Sequence, residues 1–429
     1  MVDVERRRAL GITALALGTT LGIPRVRADD AGLAEHRYLV PRDDPRTGHP
    51  ITRVTDVPGR PVDGRDALWS APARHGYSKV AAWDAAGDLL AVRNAGAVKA
   101  DGSGAPEWLL LDGTDYRVRG AIERPFIEMR WWNTRPGRLL LLAEEGLVDY
   151  APISGSTRML LASEALLERY ADLSLANEGN LSNDDTRLAL LGTRRDDGAR
   201  CAVLLDLDES AVSAKRAFVT ELPLDHPRVD FASASASGRF IVVNGELSAG
   251  EPDRTDVYDA SGKRVGPRWE PYGMPSHYDL ALDSRGRDIA IGVAKVDTKA
   301  ARAGSLVARR LGDGEITVLL EGGYAVHASC RNVTLPGWAF VSYSGGSPDY
   351  PGFSDELVAV RTDGSGEHRR LCRFDQVEAD YWAEPQACPN AAGTRAVFAT
   401  NGGRAGGPVQ ARILLTGLPA DSTPDKSAR

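Results

Sequence analysis

A nine-residue pattern recurs seven times along this chain. It reads DAAGDLLAV at 84–92, NTRPGRLLL at 133–141, SNDDTRLAL at 182–190, SASGRFIVV at 235–243, DSRGRDIAI at 283–291, VTLPGWAFV at 333–341 and NAAGTRAVF at 390–398. Each copy is a short turn followed by an apolar run. In most copies Asp, Asn or Ser opens the turn by bonding to its own backbone, and Gly takes the positive-φ position. The apolar run is nearly continuous, as in a strand buried on both faces. Copies lie roughly fifty residues apart, a period at which each repeat builds one four-stranded antiparallel sheet. Seven such sheets predict an all-β, seven-bladed β-propeller.

The repeats organise the rest of the chain. PITRVTDVP (50–58) precedes the first full copy and is predicted to pair with ARILLT (411–416), closing the ring. Closure removes an open sheet edge that would invite aggregation. The propeller is thus assigned to 50–418, with an N-terminal arm at 29–49 and a disordered tail at 419–429. Residues 1–28 are read as a signal peptide. Arg6, Arg7 and Arg8 precede an apolar run to about Ile23, and Val26-Arg27-Ala28 offers small residues for cleavage. The adjacent arginines point to the twin-arginine route, and the protein is placed in the periplasm or outside the cell. The run is too short for a good membrane span, so no membrane association is expected beyond the export signal.

Composition narrows the function classes. The formal net charge is −7, with no basic excess of the kind that marks a nucleic-acid binder. No Walker or dinucleotide pattern appears, so no nucleotide cofactor is expected. No GxSxG elbow appears either; SYSGGS (342–347) lacks its first glycine. Four cysteines, Cys201, Cys330, Cys372 and Cys388, allow three disulfide pairings or buried free thiols.

The candidate site comes from counting back from each turn into the innermost strand. Six residues before the turn stand Ser78, Ile127, Ala176, Val229, His277, His327 and Glu384. Four before it stand Val80, Met129, Glu178, Phe231, Asp279, Ser329 and Gln386. Alternating side chains share a face, and innermost strands line the channel. Three consecutive blades then offer His277, Asp279, His327, Glu384 and Gln386 to one wall. Imidazole with carboxylate and amide oxygen suits a divalent metal, Mn, Zn or Fe, and Ca stays a candidate although a hard cation alone would want more oxygens. The competing reading is a hydrated polar lining. His75, Tyr77 and Lys79 stand just ahead of the first inner strand, and Arg130 in the second; these are the catalytic candidates. Trp131, Glu178, Tyr278, Arg331 and Trp382 are the candidates for substrate binding. Flat rings stack on sugar faces, and arginine grips a carboxylate in a forked geometry.

EGNLSNDDTRLALLG (178–192), SASGRFIVVN (235–244), SHYDLALDSRGRDIAIG (276–292), VHASCRNVTLPGWAFVS (326–342) and YWAEPQACPNAAGTRAVFATN (381–401) resemble exported seven-bladed propellers of the polysaccharide-lyase type. These include the ulvan and oligogalacturonate lyases, and the likeness spans about 50–418. The resemblance implies β-elimination at a uronic acid in an acidic oligo- or polysaccharide, by a monomeric protein. It implies a metal at His277, His327 and Gln386, with His75, Tyr77 and Arg130 as acid–base or carboxylate-binding groups. The chain departs from that pattern at Gln386, where a histidine is expected, and has no histidine between His75 and His226. The rival expectation is a non-catalytic, TolB-like propeller that binds a protein or a glycan.

Overall fold

The seven turns join the first and second strands of seven successive antiparallel sheets. The computed structural model describes residues 36–418, except 97–105, 163–167, 176–177, 208–217, 226–227, 249, 273, 344, 346–348, 350 and 378–380. The signal peptide, the tail and Ala176 lie outside the described residues. Blade 2 is Glu128–Trp131, Leu139–Ala143, Gly146–Ala151 and Ser156–Ala162. Blades 3, 5 and 6 repeat this four-strand order, their innermost strands being Tyr170–Ser174, Ser276–Leu282 and Ala325–Ser329. Blade 4 has three strands among the described residues, Arg228–Ala234, Phe240–Glu246 and Arg254–Asp259.

Ring closure is made by chain ends that meet. Blade 7 takes Cys388–Pro389, Arg395–Thr400 and Gln410–Leu415 from the end of the chain and Pro50–Arg53 from its beginning. The predicted pairing is present, with Ile51 opposite Leu414, Thr52 opposite Ile413 and Arg53 opposite Arg412. Pro41–Asp43, from the arm, adds a further strand outside Pro50–Arg53. One parallel bridge from Gln410 to Ala73 joins blade 7 to blade 1.

The core lies between blades. Leu142 and Leu160 of blade 2 pack with Leu188 and Val203 of blade 3, and Phe340 of blade 6 packs with Phe398 of blade 7. Carboxylates tie the same seams. Asp84 of blade 1 accepts from Gly137 N of blade 2 at 2.8 Å, and Asp288 of blade 5 accepts from Ser237 N of blade 4 at 2.8 Å. All four cysteines are buried free thiols.

Blade 1 departs from the others. Its innermost strand is only Ala73–Arg74, and the chain then leaves the sheet until the Trp83–Leu90 bridge. Residues 75–82 are the segment that builds the site.

Ile51 is fully buried in the strand that closes the ring. Ile51→Ala is expected to cost about 2–5 kcal/mol, the range for truncating a buried aliphatic side chain. A shift of the urea midpoint with an unchanged slope is the check; an unshifted midpoint would mean that the closure carries little stability.

Candidate functional site

The segment after Arg74 crosses the channel. Gly76 carries no side chain, and Tyr77–Val80 then closes a turn, Val80 N donating to Tyr77 O at 2.9 Å. A turn in the middle of a ring exposes backbone carbonyls that other blades must satisfy. Ser329 Oγ of blade 6 donates to Ser78 O at 2.6 Å. Asn180 Nδ2, from between the first and second strands of blade 3, donates to Lys79 O at 2.9 Å. Cys388 Sγ of blade 7 lies 3.5 Å from Val80 O. The Lys79 ammonium pairs with Glu178 at 2.5 Å and lies 3.9 Å over the ring of Phe231 and 5.3 Å over that of Tyr278. One turn from blade 1 thus reaches groups of blades 3 to 7. Ser78 and Val80 do not belong to the channel wall as the repeat count places them; they belong to a crosspiece over it.

Tyr77, on that crosspiece, meets the first of two stacked histidines. Its ring stands edge-on to His327, with centroids 5.3 Å apart. His327 stacks on His277, with centroids at 5.4 Å and planes 11° apart. His277 sits at a shift in strand register between Ser276 and Asp279, with φ of 47°. An extra residue of this kind bends a strand and re-aims its side chain. His277 Nδ1 lies 3.1 Å from the carbonyl of Val326, which can only accept, so Nδ1 carries the proton and Nε2 the lone pair. Burial lowers the His277 pKa to about 4, helped by the Lys295 charge. Burial also holds His327 well below the usual imidazole value, with His277 and Arg74 adding to it. Both rings are neutral at pH 7. The Tyr77 hydroxyl is pushed well above its ordinary value by burial and then by Glu178, so it keeps its proton.

The same register shift overturns the expected ligand set. Asp279 does not share a face with His277. It turns into the seam between blades 5 and 6, where Arg331 grips it with Nε at 3.0 Å and Nη2 at 2.9 Å. Cys330 N and Leu280 N also donate to it, at 2.7 and 2.8 Å. Asp279 and Arg331 are therefore a buried pair, each engaged by the other. Gln386 Oε1 accepts from Arg74 Nη2 at 2.8 Å, and Glu384 Oε2 lies 3.7 Å from His327 Nε2. Among the described residues, no three His, Cys, Asp or Glu side chains converge as a metal set. The donors around the histidine pair do not fit the expected ion; the cation beside Gln386 is Arg74.

Most of the other candidates are buried and already bonded. His75 is buried and its Nε2 donates to Gln386 O at 2.7 Å. Arg130 is buried and donates to Gly179 O at 2.6 Å and Met129 O at 2.7 Å. Trp131 is core, its indole N–H on Ala82 O at 3.1 Å, and Tyr278 is core, with its hydroxyl 3.1 Å from Thr255 Oγ1. Glu178 is held by Lys79. Trp382 is half-buried, its ring edge-on to the exposed Tyr381. The count back from the turns missed Lys295. This half-buried lysine follows the second strand of blade 5 at the end where His277 begins the first, and it is the foremost charge acting on His277. Burial lowers its pKa, while Asp253 and Asp230 work the other way.

Likeness to a solved structure supports the fold. The oligogalacturonate lyase of Vibrio parahaemolyticus is 11% identical, with a TM-score of 0.55 over 88% of this chain and 96% of that one. The β-propeller domain of the trilobed protease of Pyrococcus furiosus is 11% identical, with a TM-score of 0.46 over 85% and 99%. The hydrazine synthase of Kuenenia stuttgartiensis is 10% identical, with a TM-score of 0.48 over 84% and 100%. No family model and no curated protein matches the sequence. The chain is a β-propeller, and likeness at these identities extends no further than that.

Two outcomes check this geometry. Asp279→Ala leaves Arg331 buried without its acid and is expected to cost about 3–5 kcal/mol, read as a lower urea midpoint with or without chelator. A mutant of wild-type stability would mean that Asp279 is free. The second concerns pH. His75 is held down to about 3 by burial and the Arg74 charge, below the 6.5 of an exposed imidazole. The unfolded chain takes up protons first, so stability is full above pH 6.5 and falls as pH drops toward about 3. His75→Gln should flatten that fall in a denaturation series; an unchanged slope would contradict a neutral, buried His75.

Proposed function

We propose that the protein is an exported lyase that cleaves uronic-acid-containing glycans by β-elimination. The observation that carries this reading is the stacked His277–His327 pair, with His277 locked in the tautomer whose Nε2 is unprotonated and Tyr77 edge-on to His327. β-Elimination needs a base at the C5 proton, an acid at the O4 leaving oxygen and a cation at the C6 carboxylate. His277 Nε2 takes the C5 proton. The C5–H electrons form the C4=C5 double bond as the C4–O4 bond breaks, and the Tyr77 hydroxyl donates its proton to O4. Lys295 lies on the His277 side and places positive charge where the carboxylate would sit, stabilising the charge that develops as C5 is deprotonated. Arg74 adds to the positive field while holding the backbone of residues 382 and 384. Trp382 and Tyr381 offer a ring surface for a neighbouring sugar. No step is routed through a metal. Export rests on the arginine-led N-terminal segment.

The solved neighbour named for oligogalacturonate lyase activity is consistent with this reading and does not carry it. The rival, a propeller that only binds a glycan or protein, predicts affinity without a product.

The test is the appearance of the conjugated unsaturated uronate, followed by its ultraviolet absorbance on a panel of acidic oligosaccharides. His277→Ala and Tyr77→Phe should each lower kcat by about 10²- to 10⁴-fold with the fold intact, the range for losing a positioned acid or base. Lys295→Met should raise KM as well as lower kcat. Wild-type rates in the first two variants would overturn the assignment. The base must be unprotonated, so kcat/KM holds as pH falls through 6.5 and declines only near 4, the pKa of free His277. A bound carboxylate favours the imidazolium and moves the acid limb of kcat to higher pH. An acid limb of kcat/KM near 6.5 would point to an exposed histidine instead.

A further inference from the structure

Ring closure leaves one buried charge facing another base. Five arginines are buried among the described residues: Arg74, Arg130, Arg309, Arg331 and Arg412. Arg331 lies on Asp279, Arg309 on Glu270, and Arg130 reaches toward Glu128. Arg74 donates to three carbonyls and to Gln386. Arg412 differs. It is 2% exposed, and its Nη1 donates at 3.2 Å to Nδ1 of His36, itself 4% exposed. A guanidinium has no acceptor to offer, so the His36 proton must sit on Nε2. That Nε2–H is buried without an acceptor, as is the Nε–H of Arg412.

A second arginine faces the same place. Arg53 stands directly opposite Arg412 in the antiparallel pair that closes the ring, so the two side chains share a face of the sheet. Arg53 reaches Asp56 through Nη2 at 2.9 Å, but its Nε–H is likewise buried without an acceptor. Burial lowers Arg412 to about 9 and His36 to about 4, and Arg53 adds to both shifts. Asp375 and Cys372 work the other way on Arg412, while Arg42 adds to the lowering. Three segments that must stay together, the arm at His36, the closing strand at Arg53 and the last strand at Arg412, therefore meet through like-charged or proton-bearing groups.

We propose that a small inorganic anion of the chloride class binds among His36, Arg53 and Arg412 and forms part of the ring closure. Such an ion accepts from buried N–H groups that otherwise have no acceptor, and it separates two cations that oppose each other across adjacent strands. The donors are shut off from solvent, which suits a compact ion trapped in the fold rather than an extended ligand. Because it binds the closed ring and not the unfolded chain, it stabilises by mass action.

Thermal unfolding in sodium chloride, against sodium gluconate at equal ionic strength, reads this out on the full chain. The expected result is a Tm that rises saturably with chloride in the wild type, with the chloride-specific part lost in His36→Phe and in Arg412→Met. If Arg412→Met does not fold, crystals grown in sodium bromide decide the question through an anomalous peak bonded by Arg412 and His36. No bromide peak there, or the same chloride response in wild type and His36→Phe, would overturn the proposal.

Discussion

The hydrogen bonds that hold the turn Tyr77–Val80 across the channel are the constraint from which the site follows. A propeller channel is wet, and a chain crossing it must have its carbonyls satisfied or lose the crossing to water. Ser329, Asn180 and Cys388 face three consecutive carbonyls of this turn from three directions. The Lys79–Glu178 pair, set against the faces of Phe231 and Tyr278, anchors its tip. Removing either charge would strand the other where desolvation is costly. The turn fixes the height of Tyr77, which stands edge-on to His327, the ring on which His277 stacks. The polar groups at the mouth are therefore tied to the seams between blades as well as to one another.

The electrostatics of the mouth follow from that enclosure. Positive charge from Arg74, Lys79 and Lys295 surrounds histidines that burial has already made neutral. A cationic wall around an unprotonated base suits an anionic substrate bearing an acidic proton. The buried tyrosine keeps its proton for the same reason that the histidines lack theirs: charge is disfavoured in a dry site. Acid and base are thus set apart by environment rather than by residue type.

Much of the architecture could be read from the sequence. The seven turns, the buried second strands and the pairing of 50–58 with 411–416 rest on local patterns, and local patterns survive into the fold. The cluster of His277, His327 and Tyr77 was half legible: the two histidines share a register across blades, but nothing near Tyr77 shows that it leaves its sheet. Its anchors Asn180, Ser329 and Cys388 lie far along the chain. The pairing of His277 with Asp279 failed because a shift of register at the strand start breaks the alternation, so that one residue faces the channel and the other the seam. Lys295 carries no motif. Its signal was its place at the end of the strand beside His277, visible once the blades are laid side by side. Trp131, Tyr278, Arg130 and Arg331 are residue types that serve a sugar site or a core equally well, and only burial separates the two.

The most direct measurement is the mass of the products formed from a defined uronate oligosaccharide. Elimination divides the substrate without adding anything, so the two product masses sum to that of the substrate, and one product carries the C4=C5 double bond. The account predicts that sum, from an incubation containing chelator. A sum larger by one water would contradict it by showing hydrolysis, and intact substrate in the presence of demonstrated binding would show a propeller that recognises glycans without cutting them.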